Sequence, residues 1–467
     1  MTLDSAAPAT APPDEHVRLS EVISALSYAL DLTEGQPEGH SVRTCLIGMR
    51  IGREIGLDAE ARSSLFYALL LKDAGCSSNS AATCELFGAD DHAVKRTWKT
   101  VDWASRWRSI GHVVRNVRPG APLLEKARQV AGFTRTEAPG TELVRTRCER
   151  GADIARTLEM PDDTAAAIHA LDEHWDGRGI PAGLAGEEIP LLARIACLAQ
   201  TVEIFHSTRG VQAAFAMAGD RAGRWFDPEL VRALQALRAD GGFWAGLAGD
   251  CRAQAAALEP QDRALVADGD RLDRIAHAFA RVIDAKSPYT FRHSEGVAEY
   301  AAAAAGVLGF GADALRGLRR AALLHDVGKL GVSNRILDKP GKLTEEEFAV
   351  VRRHPEYSFR ILSRVAPLRA LAETAASHHE RMDGRGYHRG IDAGTLPLAA
   401  RVLAVADVCD ALSAERPYRA AMPRERVLEI MRRDAGPALC PESFAALEEA
   451  LRADPGLGTG GKDSATS

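Results

Sequence analysis

Residues 17 to about 71 and 272 to about 324 carry apolar positions at helical spacing, with charged positions on the complementary face. Each stretch predicts a run of successive amphipathic helices. In RLDRIAHAFARVIDAKSPYTFRHSEGVAEYAAAAAGVLGFGADALRGLRRAALL, alanines favour close helix contacts, and Gly306, Gly309 and Gly311 punctuate the run. The opening MTLDSAAPATAPPDEH and the closing GLGTGGKDSATS offer little to bury and read as flexible tails. The pattern predicts an all-α protein.

The helical pattern is duplicated. His40 is followed 33 residues later by Asp73 in LLLKDAG, and His293 is followed 33 residues later by Asp326 in ALLHDVG. Further on, DGRGIPAGLAGEEIPLLARIACLAQTVEIF parallels DGRGYHRGIDAGTLPLAARVLAVADVCDAL, and FDPELVRALQAL parallels CPESFAALEEAL. An ordered set of matches implies two related helical domains, 17–250 and 272–454, with a linker at 251–271 and tails at 1–16 and 455–467. A stretch around 80–130 interrupts the first copy. Its Trp98, Trp103 and Trp107 are expected to pack in a core of their own, with a partner-binding surface as the alternative.

Length and composition narrow the classes. A chain of 467 residues exceeds one compact core, and 46% apolar residues suffice for sizeable helical cores. The formal charge of -6 gives no basic footprint for a nucleic-acid polymer, so anionic ligands require local positive charge. Eight scattered cysteines, without a close CxxC pair, suit a reducing compartment. No signal peptide and no membrane-spanning apolar run is evident, and a cytoplasmic location is expected.

Histidine supplies 14 residues, yet six fall between His293 and His388. His325-Asp326 ends an apolar run, His378-His379 follows another, and Asp407 sits within an apolar helix. Taken alone, His325-Asp326 reads as a surface pair and His354 as a structural helix-start residue. Together, imidazoles and carboxylates of this kind suit borderline divalent ions, and burial of the His pair without partners would be costly. Lys329, one short turn beyond Asp326, could stabilise phosphate charge or protonate a leaving oxygen. No GxSxG elbow and no Walker loop is present.

The segments YTFRHS, LLHDVGKLGVSN, RRHPEYSFRIL, SHHERMDGRGYHRG and ARVLAVADVCDALSAERPYR closely resemble the HD-GYP family of cyclic-dinucleotide phosphodiesterases, from about His293 to Arg419. The resemblance implies tandem HD-domain-like helical bundles around a metal centre. It implies His293, His325, Asp326, His354, His378, His379 and Asp407 as ligands, with Asp326 bridging two divalent metals. Fe or Mn is favoured and other transition metals are compatible. Family members with three metals carry a glutamate where Tyr289 stands here, which points to a binuclear centre. Asp326 and Lys329 are the expected catalytic residues, with Lys329 assisting the departing ribose oxygen. Asp383, Gly384, Gly386, Tyr387, Arg416 and Arg419 are the expected substrate contacts, while Tyr418 is equally suited to packing. His388 departs from the family's usual loop proline. Contact with phosphate, contact with a partner and simple exposure stay open for it, and exposure is the expectation.

The first copy retains His40 and Asp73 but has Lys72 beside Asp73 and Cys76 at the Lys329 register. Arg147 stands at the His354 register, Leu171-Asp172 at that of the paired histidines, and Gln200 at that of Asp407. His169 and His174 lie off register. An inactive scaffold is the expected role, with regulatory ligand binding as the alternative. The expected activity is opening of a cyclic dinucleotide, cyclic di-GMP foremost, to a linear product and onward to GMP. A broader nucleotide phosphohydrolase and a non-catalytic cyclic-nucleotide sensor are the alternatives. Contact between the two copies is expected, and a homodimer or signalling partner stays open.

Overall fold

The computed structural model describes residues 17–458, apart from 102–105, 123, 127, 130–138, 261–264 and 416–419. Among the described residues the structure is helical, with isolated β-bridges as its only extended pairing. The two halves repeat one helix order. Leu19–Thr33, His40–Glu54 and Ala59–Leu71 correspond to Gly269–Asp284, His293–Val307 and Ala312–Leu324. A short 3-10 turn follows in each, Cys76–Asn79 and Val327–Gly331. Pro139–Thr157 and Leu191–Arg209 then correspond to His354–Leu362 and Leu398–Ser413. The all-α, tandem-bundle expectation therefore holds.

The halves share one continuous apolar core. Leu19–Thr33 is buried along nearly its whole length because it packs on both halves. It touches its own bundle and also Val327–Gly331 and His354–Leu362. Gly269–Asp284 returns the contact against Cys76–Asn79 and Pro139–Thr157. The connecting segment is held by these helices. Leu19 N–H donates to Leu265 O at 2.7 Å and Ala267 N–H to Val17 O at 2.8 Å. Buried Glu259 accepts from Ser20 Oγ at 2.6 Å and Tyr67 Oη at 2.5 Å.

The interrupting segment contributes Ser80–Phe87, Asp91–Trp98 and Arg106–Asn116. Trp98 packs with Phe87, Val94 and Val117 in a small core of its own, as the sequence suggested. The side chains of Trp103 and Trp107 lie outside the described residues. None of the helices described is long and apolar enough to cross a membrane.

Two glycines set how closely each short turn meets the next helix. A Cβ on Gly328 would overlap the carbonyl oxygen of His354, and one on Gly75 would overlap that of Arg147. Gly328→Ala should destabilise the protein by about 3 kcal/mol, at the upper end of ordinary overpacking, measured by denaturant unfolding.

Candidate metal centre

Most of the sequence-predicted ligands stand at helix ends. His293 opens His293–Val307, His325 follows Ala312–Leu324, and His354 opens His354–Leu362 with Pro355 in the first turn. His378 and His379 follow Ala366–Ala376, whereas Asp407 projects from within the apolar helix Leu398–Ser413.

Helix C-termini leave carbonyls without intrahelical partners. Three histidines use them. His325 Nδ1 donates to Ala322 O at 2.6 Å, His354 Nδ1 to Val351 O at 2.7 Å, and His378 Nδ1 to Ala375 O at 2.6 Å. A carbonyl only accepts, so each Nδ1 carries the hydrogen and each Nε2 presents a lone pair.

Those lone pairs converge on Asp326, which is fully buried. Its Oδ2 lies 3.3 Å from His325 Nε2 and 3.5 Å from His293 Nε2. Its Oδ1 lies 3.3 Å from His354 Nε2 and 3.5 Å from His378 Nε2. Asp407 Oδ1 joins the first group, 3.3 Å from His293 Nε2 and 3.8 Å from His325 Nε2. His379 joins the second, where it, His354 and His378 offer nitrogens within 4.8 Å of one another. One carboxylate thus stands between two ligand groups.

The residues fit divalent cations. His293 Nε2, His325 Nε2 and Asp326 Oδ1 are buried without a hydrogen bond. His354 Nε2 and His378 Nε2 face each other at 3.1 Å, two lone pairs that repel unless positive charge lies between them. Burial pushes His354 down to about 4, toward its neutral, ligating form. Burial opposes charge on His293 as well, but the carboxylates of Asp326, Asp407 and Asp410 around it hold it well above the usual histidine range. A proton on His293 and a bound cation are alternative ways of compensating those carboxylates.

Asp410 was not singled out from the sequence. It lies one helical turn beyond Asp407 and accepts from His293 Nδ1 at 2.6 Å, orienting that ring. The i, i+3 spacing of two acids on an apolar helix was the available signal.

Lys329 Nζ lies 2.5 Å from Asp326 Oδ2 and keeps partial access to solvent. Tyr387 covers the second ligand group, its ring 4.6 Å from that of His379. Arg352 lies over both Tyr387 and Phe348.

The other loop residues expected as substrate contacts stand apart from the imidazoles. Asp383 is exposed, pairs with Arg381 at 2.9 Å and accepts from Arg385 N, outside the ligand cluster. Gly384 has φ +71°, and a Cβ on Gly386 would overlap Glu380. These residues shape the loop. Glu380, which sequence reasoning missed, accepts from the amides of Arg389, Gly390 and Ile391. His388 is half-buried rather than exposed, with φ +103°, a backbone angle that proline cannot adopt. Arg416, Tyr418 and Arg419 lie outside the described residues.

The first half keeps this framework around lysine ammonium groups. Buried Lys72 lies 3.0 Å from His40 Nε2 and pairs with Asp73 Oδ2. Buried Lys99 lies 3.3 Å from Asp73 Oδ1 and donates to Gln200 Oε1 at 2.7 Å. Two ammonium groups therefore flank Asp73 where two ligand groups flank Asp326. Glu34, Asp73 and Cys76 converge closely enough for a metal, but Lys99 also approaches Glu34, at 3.8 Å. Arg147 pairs with Asp172 at the registers of His354 and His379. Glu203 accepts from His40 Nδ1 as Asp410 does from His293.

A family model described as HD domain matches residues 134–230 and 277–439. The 3′3′-cGAMP-specific phosphodiesterase 3 of Vibrio cholerae is 46% identical over 436 residues, which span 93% of this chain and 94% of that protein. A cyclic di-GMP phosphodiesterase of Thermotoga maritima is 40% identical over 167 residues, 35% of this chain and 45% of that one. The crystal structure of a cyclic GMP-AMP specific phosphodiesterase from V. cholerae matches with a TM-score of 0.64 at 40% identity, covering 93% of this chain and 98% of that chain. The fold and the relatives define a tandem HD-domain hydrolase. The chain belongs to the HD-GYP cyclic-dinucleotide phosphodiesterase family and is a metal-dependent phosphodiesterase, with a degenerate HD-GYP-like repeat as its first half.

Lys72→Met should leave Asp73 buried with less compensating charge and cost about 3–5 kcal/mol, as for breaking a buried pair. Denaturant unfolding monitored by circular dichroism checks this.

Proposed function

We propose that the second half hydrolyses a cyclic dinucleotide at a binuclear centre, and that 3′3′-cGAMP is preferred over cyclic di-GMP. The observation that carries the site is the placement of Asp326, with each carboxylate oxygen facing a different group of imidazoles. His293, His325, Asp407 and Asp326 Oδ2 would hold one divalent ion. His354, His378, His379 and Asp326 Oδ1 would hold the other. Bound divalent ions supply positive charge that acidifies water and offsets charge on phosphate. Fe and Mn suit this mixture of imidazole and carboxylate ligands.

The chain's own groups do the remaining work. Asp410 and the three helix-end carbonyls fix the imidazoles in their ligating tautomers. Lys329, adjacent to Asp326 and reachable from solvent, holds the proton for the departing ribose oxygen. Tyr387 forms a wall beside His379 against which a substrate group rests. Arg416 and Arg419 take the phosphates, since guanidinium makes paired charged hydrogen bonds to such oxygens. The sequence led to cyclic di-GMP as the foremost substrate. Similarity across both halves to a protein named for 3′3′-cGAMP favours the mixed dinucleotide instead. The first half serves as a non-catalytic scaffold, consistent with lysines flanking Asp73.

Purified protein loaded with Mn or Fe and offered 3′3′-cGAMP, cyclic di-GMP and mononucleotides tests this reading, with products identified chromatographically. Faster turnover of 3′3′-cGAMP is expected, and preference for a mononucleotide would overturn the assignment. Asp326→Ala should abolish turnover and manganese binding while the circular dichroism spectrum is retained. Lys329→Ala should lower kcat by about 100-fold, the lower range for loss of a general acid, with little change in KM.

A further inference from the structure

The segment that interrupts the first half reaches the ligand-bearing chain of the second. Asp91 stands in the first turn of Asp91–Trp98 and is fully buried. Its Oδ1 accepts from Ser333 Oγ at 2.9 Å and from the Asn334 amide at 3.0 Å. Its Oδ2 lies 3.6 Å from Nζ of buried Lys286. Lys286 Nζ also lies 3.3 Å from His92 Nε2.

These partners belong to two different stretches of the second half. Lys286 lies just before the His293 helix, next to Asp284, which accepts from Ser294 N and Ser294 Oγ. Ser333 and Asn334 lie just after the turn that carries Asp326 and Lys329. Second-half bonds reinforce the junction. Asn334 Nδ2 donates to Lys286 O at 2.6 Å and to Asp338 Oδ2 at 2.7 Å, and Ser287 Oγ donates to Asp338 Oδ1 at 2.5 Å. A carboxylate from outside the second half therefore joins the approach to His293 to the exit from Asp326.

We propose that Asp91 is a positioning residue for the centre: it fixes the start of the His293 helix against the Asp326–Lys329 turn. The proposal rests on the two-metal reading above. His293 and Asp326 must share one ion, so small relative shifts of their two segments change the ligand geometry. Residues that merely orient ligands typically alter metal affinity or activity by about 10–100-fold.

The test uses the full chain and three variants. Asp91→Ala removes the carboxylate and leaves only the second-half bonds of the junction. Asp91→Asn keeps the Oδ1 acceptor but not the charge. Asp91→Ala combined with Lys286→Met removes both buried charges and so guards against simple misfolding. Manganese affinity by calorimetry, kcat and KM on 3′3′-cGAMP, and thermal unfolding are measured on each. Asp91→Ala should weaken manganese binding and lower kcat, each by about tenfold, with KM changed less than about threefold. Asp91→Asn should recover most of both, and the double variant should regain thermal stability without regaining either. Unchanged affinity and kcat in Asp91→Ala, or full recovery of both in the double variant, would overturn the proposal. If the wild type fails to hydrolyse the dinucleotide while the variants still lose manganese affinity, the substrate reading fails and the positioning role stands.

Discussion

A fully buried aspartate at the end of a helix needs positive charge on both of its oxygens, and both halves of this protein are arranged around that need. In the second half, Asp326 presents each oxygen to a group of imidazoles whose tautomers leave bare lone pairs. A buried anion among lone pairs is stabilised by cations placed between them. In the first half, Asp73 holds the same place in the fold, and Lys72 and Lys99 bring ammonium groups to its two oxygens. The two bundles solve one electrostatic problem in two ways. An ammonium group buried against a carboxylate, as Lys72 and Lys99 are against Asp73, cannot exchange as a bound metal ion does or acidify a water in its place.

The same backbone devices recur in both halves whether or not ligands are present. Gly75 and Gly328 let the turn after the aspartate touch the next helix. Glu173 and Glu380 each gather three successive loop amides. Asp31 accepts from Ser41 as Asp284 accepts from Ser294, and burial raises the two acids to about 6 and about 7. These features hold the bundle together, and their persistence beside a centre without the full ligand set separates framework from chemistry. Asp383, Gly384 and Gly386 have counterparts in Asp176, Gly177 and Gly179 of the first half, whereas Tyr387 stands beside His379.

Packing makes the halves interdependent. Leu19–Thr33 and Gly269–Asp284 each lie against the short turn of the opposite half, and the apolar core runs through both. Glu38 adds a polar tie at the rim, pairing with Arg364 across the halves. Exposed pairs of this kind contribute little, so the shared core and the buried junction at Asp91 carry the association.

The sequence by itself determined the helical class and the duplication, because helical periodicity and ordered repetition are properties of a linear pattern, while the seven residues that converge were implied by the resemblance of their motifs to the HD-GYP family. It also determined which half lacked the full ligand set, since Lys72, Leu171 and Gln200 fall in register with His325, His378 and Asp407. What only the tertiary structure decided are relations between residues with no register in common. Lys99 comes from the interrupting segment and has no counterpart in the second half, so comparison of the copies could not place it beside Asp73. Asp91 meets Ser333 across the interface for the same reason. Asp410 was visible as an acid but not as the partner of His293, because a hydrogen bond between distant helices leaves no periodic trace. The division of the ligands between the two oxygens of Asp326 is likewise a matter of direction, and direction is set by packing rather than by order along the chain.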